Sequence, residues 1–489
     1  MNGPASPDVD LQQDWDLVVL GAGTAGLLAS RIAASLGARV LLIERDRPGG
    51  DCLWTGCVPS KALIAAARSA GAERRLVVGP GPLADEAIFG DVMRHVRNSV
   101  RAIEPDDSVE SLERDGVTVL LGQARFADGT TVVVDDRRIS FRQAVIATGA
   151  RPVPLDVEGA DKVEVLTSST VWDLDVLPRR LLVIGGGCVG SEIGQAMARL
   201  GSHVSIVQRG PRLMPKESAE AEAVIRDAFT TDGIDVRTGR TVSRIVSSDG
   251  RAGAAHLDNG SVVEFDRILI ALGRAPNTEA LGLVNAGVAV DGRGRVIVDD
   301  HLRTSSPRIW AAGDVTPLPQ FTHTAGVNGS IAGSNAVLGL QRRMNTGVIP
   351  RVTFTQPEVA AVGLQASDCA GTRNRVVTLH HTHLDRAIAE GATSGFTQVI
   401  TDPRGRILGA TIVGPRAGES LGEVTLAVAN KLTASQVTDT MHAYPTFNDG
   451  FWNACVEITR TRLGSGWKKH GIRALLAVHR RRSRPSQGG

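Results

Sequence analysis

The stretch DWDLVVLGAGTAGLLASRIAASLGARVLLIERD, residues 14–46, decides the fold. It reads as strand, glycine turn, helix, strand. The three glycines fall at Gly21, Gly23 and Gly26. The first permits a tight turn, the second lets a pyrophosphate approach the backbone, and the third lets the helix pack close to the strand. Phosphates are expected at the helix N-terminus, where free N–H groups and the dipole favour anions. Glu44 closes the second strand, 23 residues after Gly21, where it can accept hydrogen bonds from a ribose.

The same pattern recurs at RRLLVIGGGCVGSEIGQAMARLGSHVSIVQRG, residues 179–210, with Gly185, Gly187 and Gly190. Gln208 stands where the first copy has Glu44, and Arg209 and Arg212 follow it. A carboxylate there would repel a 2′-phosphate, whereas glutamine with arginines would accept one. NADPH is therefore expected at the second site, with NADH as the alternative. Two dinucleotide sites in one chain suggest one resident and one exchanging cofactor, and hydride transfer between a nicotinamide and a flavin.

The totals agree with this reading. A chain of 489 residues exceeds one core, and two to four domains are expected. Its 55 glycines and short apolar runs suit α/β turns. No basic-then-apolar leader opens the sequence, and no apolar run reaches the roughly 18 residues that span a bilayer. A cytoplasmic protein is expected. Beyond Glu457 there are nine lysines and arginines and no acid, against a net charge of only +2 for the whole chain. The body is thus mildly acidic, and nucleic acid is not an expected partner.

Five cysteines are too few for a disulfide scaffold, yet Cys52 and Cys57 stand close together in GGDCLWTGCVPSKAL, residues 49–63. With four residues between them they can bridge if the chain turns once. The run after Cys57 reads as a helix, and a helix N-terminus lowers the pKa of a nearby thiol. Redox chemistry, a zinc site and an inert structural pair are the three readings. Zinc needs about four ligands and no second close cysteine pair exists.

The segment resembles the redox-active centre of the class I pyridine nucleotide–disulfide oxidoreductases, which include glutathione reductase, dihydrolipoamide dehydrogenase and mercuric reductase. ATGARP at 147–152, ALGRAPN at 271–277, AAGDV at 311–315 and FTQPEVAAVGL at 354–364 resemble further motifs of that family, in its order. The resemblance implies an α/β fold with two Rossmann-like dinucleotide-binding domains and a C-terminal α+β dimerisation domain. It implies an FAD-binding domain at 1–155 and 276–346, an NAD(P)H-binding domain at 156–275, an interface domain at 347–460 and a basic tail at 461–489. It also implies a homodimer with active sites built from both subunits. Cys57 would face the flavin and Cys52 would exchange with substrate. Lys61 would stand beside the reactive flavin nitrogen, with Glu192 as its ion-pair partner. FAD would be held by Gly21, Gly23, Gly26, Glu44, Gly50, Lys61, Thr148, Gly149 and Asp314. The nicotinamide dinucleotide would be held by Gly185, Gly187, Gly190, Gln208, Arg209 and Arg212, with Gly273 in the segment leaving its domain. No resident metal is expected.

One segment departs from the disulfide reductases. Their HPTxxE histidine protonates the leaving thiol and the glutamate orients it. In HAYPTFNDGFW, residues 442–452, Tyr444 takes the histidine position and Asp449 the glutamate position. A tyrosine, with an ordinary pKa near 10, is a poor proton shuttle at neutral pH. Mercuric reductases resemble this chain here, because soft thiolates bind a soft metal without thiol protonation. The adjacent C-terminal cysteine pair usual in them is missing, with Cys455 as a single delivery thiol or, more simply, a buried structural one. The first expectation is thus reduction of Hg(II) or another metal ion. The alternatives are a quinone or general oxidant, lipoamide or another disulfide, and a redox-sensing flavoprotein with little turnover.

Two smaller signals remain. LHHTHLDR, residues 379–386, suggests His381 and His383 on one strand face, polar rather than metal-binding. In the tail, Ile472, Leu475, Leu476 and His479 recur at helical spacing among cations. Such a segment could lie weakly on an anionic membrane, dock on the acidic body or remain disordered.

Overall fold

The computed structural model describes residues 13–77, 86–247, 249–464 and 466–482. One compact unit comprises the residues up to Met214 together with Phe229–Asn345; the other comprises Pro215–Ala228 and the residues from Thr346 onward.

In the first unit, strands Val117–Leu121, Val40–Glu44, Trp15–Leu20, Arg137–Ile146 and Ile309–Ala311 lie side by side in parallel. Strands Thr131–Val134 and Ala124–Asp128 extend this sheet as an antiparallel meander. Trp15–Leu20 is apolar on both sides because both are covered. Val18 and Leu20 join the core on the meander side, and Leu17 and Val19 join the core under the helices.

Those helices are Thr24–Ser35 and Thr322–Leu338. They pack backbone against backbone. A Cβ on Gly329 would sit 2.1 Å from the Ala25 carbonyl oxygen, and one on Gly333 would sit 2.6 Å from that of Ala29. Only glycine permits such an approach. The contact fixes where the N-terminus of the second helix, Thr322, emerges relative to the glycine turn.

A second parallel sheet runs Asp235–Thr238, His203–Gln208, Arg180–Ile184, Arg267–Ile270, Val165–Thr167. Strands Val242–Ser247, Gly253–Leu257 and Val262–Phe265 form a separate antiparallel meander.

The second unit holds a five-stranded antiparallel sheet: Arg351–Thr353, Glu358–Gly363, Ile407–Gly414, Phe396–Thr401, Arg375–His380. Helices Ala417–Ala429 and Asp449–Leu463 cover it through Leu421, Val424, Phe451 and Cys455.

Here one expectation is corrected. His381 and His383 do not share a strand face, because the strand stops at His380 and a short 3-10 turn follows. The turn buries His381 and leaves His383 at the surface. The His381 ring fills a slot floored by glycine: Cβ atoms on Gly395 and Gly414 would fall 3.0 and 2.6 Å from it. Its Nε2 is hydrogen-bonded to the Thr397 hydroxyl at 3.1 Å. Burial pushes its pKa down to about 4, and the neighbouring His380 adds to this. The unfolded chain, with an ordinary histidine near 6.5, takes up the proton first. Stability is therefore full at neutral pH and declines as pH falls from about 6.5 to about 4, by roughly 3 kcal/mol for this residue. Urea unfolding across that window should show the slope, and His381→Gln should flatten it. An equal slope in the variant would assign the effect elsewhere.

Candidate active site

The glycine turns are built alike. Gly21 and Gly185 adopt φ of +100° and +110°. A Cβ on Gly26 would lie 1.8 Å from the Gly21 carbonyl oxygen, and one on Gly190 would lie 2.0 Å from that of Gly185. Above the helix N-termini the space is open. A Cβ on Gly187 would meet nothing within 4 Å, and one on Gly23 only the Gly50 Cα at 3.8 Å.

The acid and its counterpart also act alike. Glu44 accepts from the backbone N–H of Ala22 at 2.7 Å and from that of Asp46 at 2.9 Å. The Gln208 side-chain carbonyl accepts from the N–H of Gly186 at 2.9 Å. Glutamine thus keeps the loop-bracing bond while giving up the charge. Arg209 is exposed and Arg212 half-buried beyond it.

The glycine pair before Cys52 seats the cysteine segment on the first turn. Gly49 donates to the Ala22 carbonyl at 2.9 Å, and a Cβ on Gly50 would lie 2.5 Å from the Gly23 Cα. Cys52 sits in the short helix Gly50–Trp54, and Cys57 opens the long helix Cys57–Val77. The helix therefore begins at the cysteine itself, ahead of Pro59. Trp54 donates to the Pro48 carbonyl at 2.7 Å and lies under the Arg47 guanidinium.

Both cysteines are free thiols and half-buried. Their mutual interaction lowers the pKa of Cys57 and raises that of Cys52. Burial opposes ionisation of both, but the Thr322 hydroxyl, 3.0 Å from Cys57 Sγ, and the Lys61 ammonium favour the Cys57 thiolate. The Lys61 ammonium in turn pairs with Glu192 at 2.9 Å. Glu192 comes from Cys188–Leu200, the helix of the second glycine turn. Thr322 escaped the sequence reading, because a threonine 265 residues away carries no motif until the helix contact brings it in.

Thr148 donates to the Asn277 carbonyl at 2.8 Å, and Gly149 accepts from Asn277 N–H at 3.0 Å. Gly273 accepts from the Val153 N–H at 3.0 Å. Asp314 lies 3.4 Å from Arg274, which also grips Asp51. Burial raises the Asp314 pKa and Arg274 partly offsets it. A cavity of about 250 Å³ is lined by Gly21, Glu44, Arg45, Gln123, Thr148 and Arg151, among others. Open helix N-termini, a terminal acid and this cavity fit an FAD.

In the second unit, Tyr444 is 71% exposed and its hydroxyl donates to Asp385. That hydrogen bond and the Asp385 charge push its pKa above the ordinary value. Asp449 instead accepts from the Thr446 N–H at 2.9 Å. Nothing in the sequence singled out Asp385. His442 is hydrogen-bonded to Glu423 at 2.8 Å and to the Thr440 carbonyl at 2.9 Å. Burial works against a charge on this ring, but the acceptor at each nitrogen prevails and its pKa rises. Cys455 is fully buried, which pushes its thiol up to about 12. Among the described residues no group of three or more potential metal ligands is gathered, and no helix is long and apolar enough to cross a membrane.

Two dinucleotide folds and a polarised thiol pair define a flavoprotein disulfide oxidoreductase. The chain belongs to the pyridine nucleotide-disulphide oxidoreductase family, which matches residues 15–329, with that family's dimerisation domain at 349–455. The family uses FAD and NAD(P)H, and the dimerisation domain supports a homodimer. The chain is similar to a mercuric reductase of Streptomyces lividans, 36% identical over 88% of this chain and 94% of that protein. It is also similar to a dihydrolipoyl dehydrogenase of Chlamydia pneumoniae, 34% identical over 90% and 96%. Among solved structures, the HOCl-induced flavoprotein disulfide reductase RclA from Escherichia coli, also solved as a Cu(II) complex, superposes with a TM-score of 0.81. It is 27% identical, over 90% of this chain and 99% of that one.

Proposed function

We propose that the protein is an FAD-dependent NAD(P)H oxidoreductase whose Cys52–Cys57 pair delivers electrons to a soft metal ion such as Hg(II). The observation that carries this reading is Tyr444. Where a disulfide reductase needs a proton donor, this chain presents a phenol that Asp385 makes a still weaker acid. A thiolate leaving group would go unprotonated there, whereas a metal bound by two sulfurs needs no such proton.

The proposed domains are those read from the sequence: 1–155 with 276–346 for FAD, 156–275 for NAD(P)H, and 347–460 for the interface. FAD, which Gly21, Gly23, Gly26, Glu44, Thr148 and Asp314 would hold, would supply the hydride acceptor for NAD(P)H and two electrons for the final acceptor. The chain's residues do the rest. Cys52, Thr322 and Lys61 favour Cys57 as the thiolate. Cys52 keeps the proton until an acceptor displaces it. Glu192 fixes Lys61, and Asp314 with Arg274 supplies charge beside the flavin motif. At the nucleotide turn, Gln208 braces the loop without repelling a 2′-phosphate. Gln208→Glu should keep that brace, raise the KM for NADPH roughly tenfold and leave NADH little changed. Equal effects on both would remove Gln208 as the discriminator.

The burial of Cys455 favours a second reading. A thiol with its pKa near 12 and no exposure is a poor relay for a metal. An acceptor needing no relay, such as a quinone, then gains support.

The test is NADPH oxidation with Hg(II) in excess thiol, lipoamide and a soluble quinone side by side. Fast Hg(II) turnover supports the proposal, and fast turnover with quinone alone replaces it by the second reading. Slow turnover with all three indicates a redox-sensing flavoprotein. Tyr444→His should raise lipoamide turnover roughly a hundredfold, the lower end of the range for a general acid. No gain would show that proton delivery is not what separates this chain from the lipoamide enzymes.

A further inference from the structure

The helix Gly466–Arg482 lies beyond the family match, which ends at residue 455. It is therefore a feature of this chain that the common chemistry does not require. Every residue from 470 to 481 is exposed. Ile472, Leu475, Leu476 and Val478 are 38%, 72%, 48% and 49% exposed. At 100° per residue these four share one side, while Arg473, Arg480 and Arg481 fall on the other. The disordered reading of the tail does not hold over 466–482; residues 483–489, including Arg484, lie outside the described residues.

We propose that this helix binds the surface of an anionic lipid bilayer, lying in its plane. Two independent features select that partner. The first is charge: from residue 458 on there is no acid, so the segment carries cations alone on a chain of nearly balanced net charge. Phosphate headgroups complement it. The second is the exposed apolar row. Nucleic acid would engage the arginines and leave four aliphatic side chains in water, whereas the headgroup–acyl boundary takes both faces at once. The 17 residues give a rod about 25 Å long, enough to lie on a bilayer and too short and too charged to cross it.

The test is flotation of the FAD-loaded enzyme with phosphatidylcholine vesicles, with and without phosphatidylglycerol, and with duplex DNA as competitor. Binding should require phosphatidylglycerol and weaken as salt rises. Leu475→Glu with Leu476→Glu should cut vesicle partition roughly tenfold or more, and so should Arg473→Glu with Arg480→Glu. NADPH oxidation with a soluble acceptor should be unchanged in both, which shows that the variants fold. Absence of binding to the phosphatidylglycerol vesicles overturns the proposal. So does binding that DNA abolishes and the leucine changes leave intact, because that identifies a nucleic-acid site. Helix docking on the acidic body would appear as no vesicle binding by wild type, which likewise overturns the proposal.

Discussion

Cys57→Ser should lower turnover with Hg(II) and with lipoamide by roughly a thousandfold while leaving FAD bound. The size of the loss follows from what surrounds the sulfur. Cys57 is the thiol that the neighbouring Cys52, Thr322 and Lys61 all favour as an anion. A serine hydroxyl accepts the same bonds but does not ionise, and its oxygen is a poor ligand for a soft metal. FAD retention follows from a separate set of atoms, since Gly21, Gly26, Glu44 and the cavity beside them lie outside the thiol pair. The flavin absorbance of the purified variant and its steady-state NADPH oxidation give the two readings. Hg(II) or disulfide turnover that survives would falsify the dithiol mechanism. Quinone turnover that survives alone would place the thiols off the electron path.

Lys61→Met should have the second-largest effect, with acceptor turnover down roughly a hundredfold and stability down by about 2 kcal/mol. Glu192 is only 8% exposed, and Lys61 is the cation 2.9 Å from it. Removing the lysine takes the ammonium at 2.9 Å away from a carboxylate that little water reaches. Lys61 itself is 38% exposed, so the loss is smaller than for a fully enclosed pair. The thiol suffers as well, because Glu192 then repels the Cys57 thiolate without Lys61 to offset it. Alkylation of reduced Cys57 should shift to higher pH in the variant. Lys61→Met with Glu192→Gln should recover most of the stability but not the turnover. Recovery of both would make the pair a packing element only.

The sequence carried the fold because its decisive residues are local. Glycines at fixed offsets between a buried strand and a helix have few physical uses, and both copies form the expected turn. Cys52, Cys57 and Lys61 were legible for the same reason, lying within ten residues of one another. What escaped depends on contacts between distant segments. Thr322 reaches Cys57 only through a helix whose packing no local pattern reports. Asp385, 59 residues away in the chain, takes Tyr444, while Asp449, at the motif's glutamate position, spends its carboxylate on Thr446. The two histidines misled because alternation looks like a strand until a turn interrupts it at His381. Composition says nothing about such a stop.

The contact of Gly329 and Gly333 with Ala25 and Ala29 has a wider consequence. It acts as a clamp without any polar atom of a side chain, yet it sets the spot from which the Thr322 hydroxyl reaches sulfur. A single methyl group added at either glycine would be a mechanical lesion with a chemical symptom, felt as a less acidic thiol several helical turns away. The tuning of this centre is thus partly stored in residues that have no reactivity of their own, where a search for functional groups would never look.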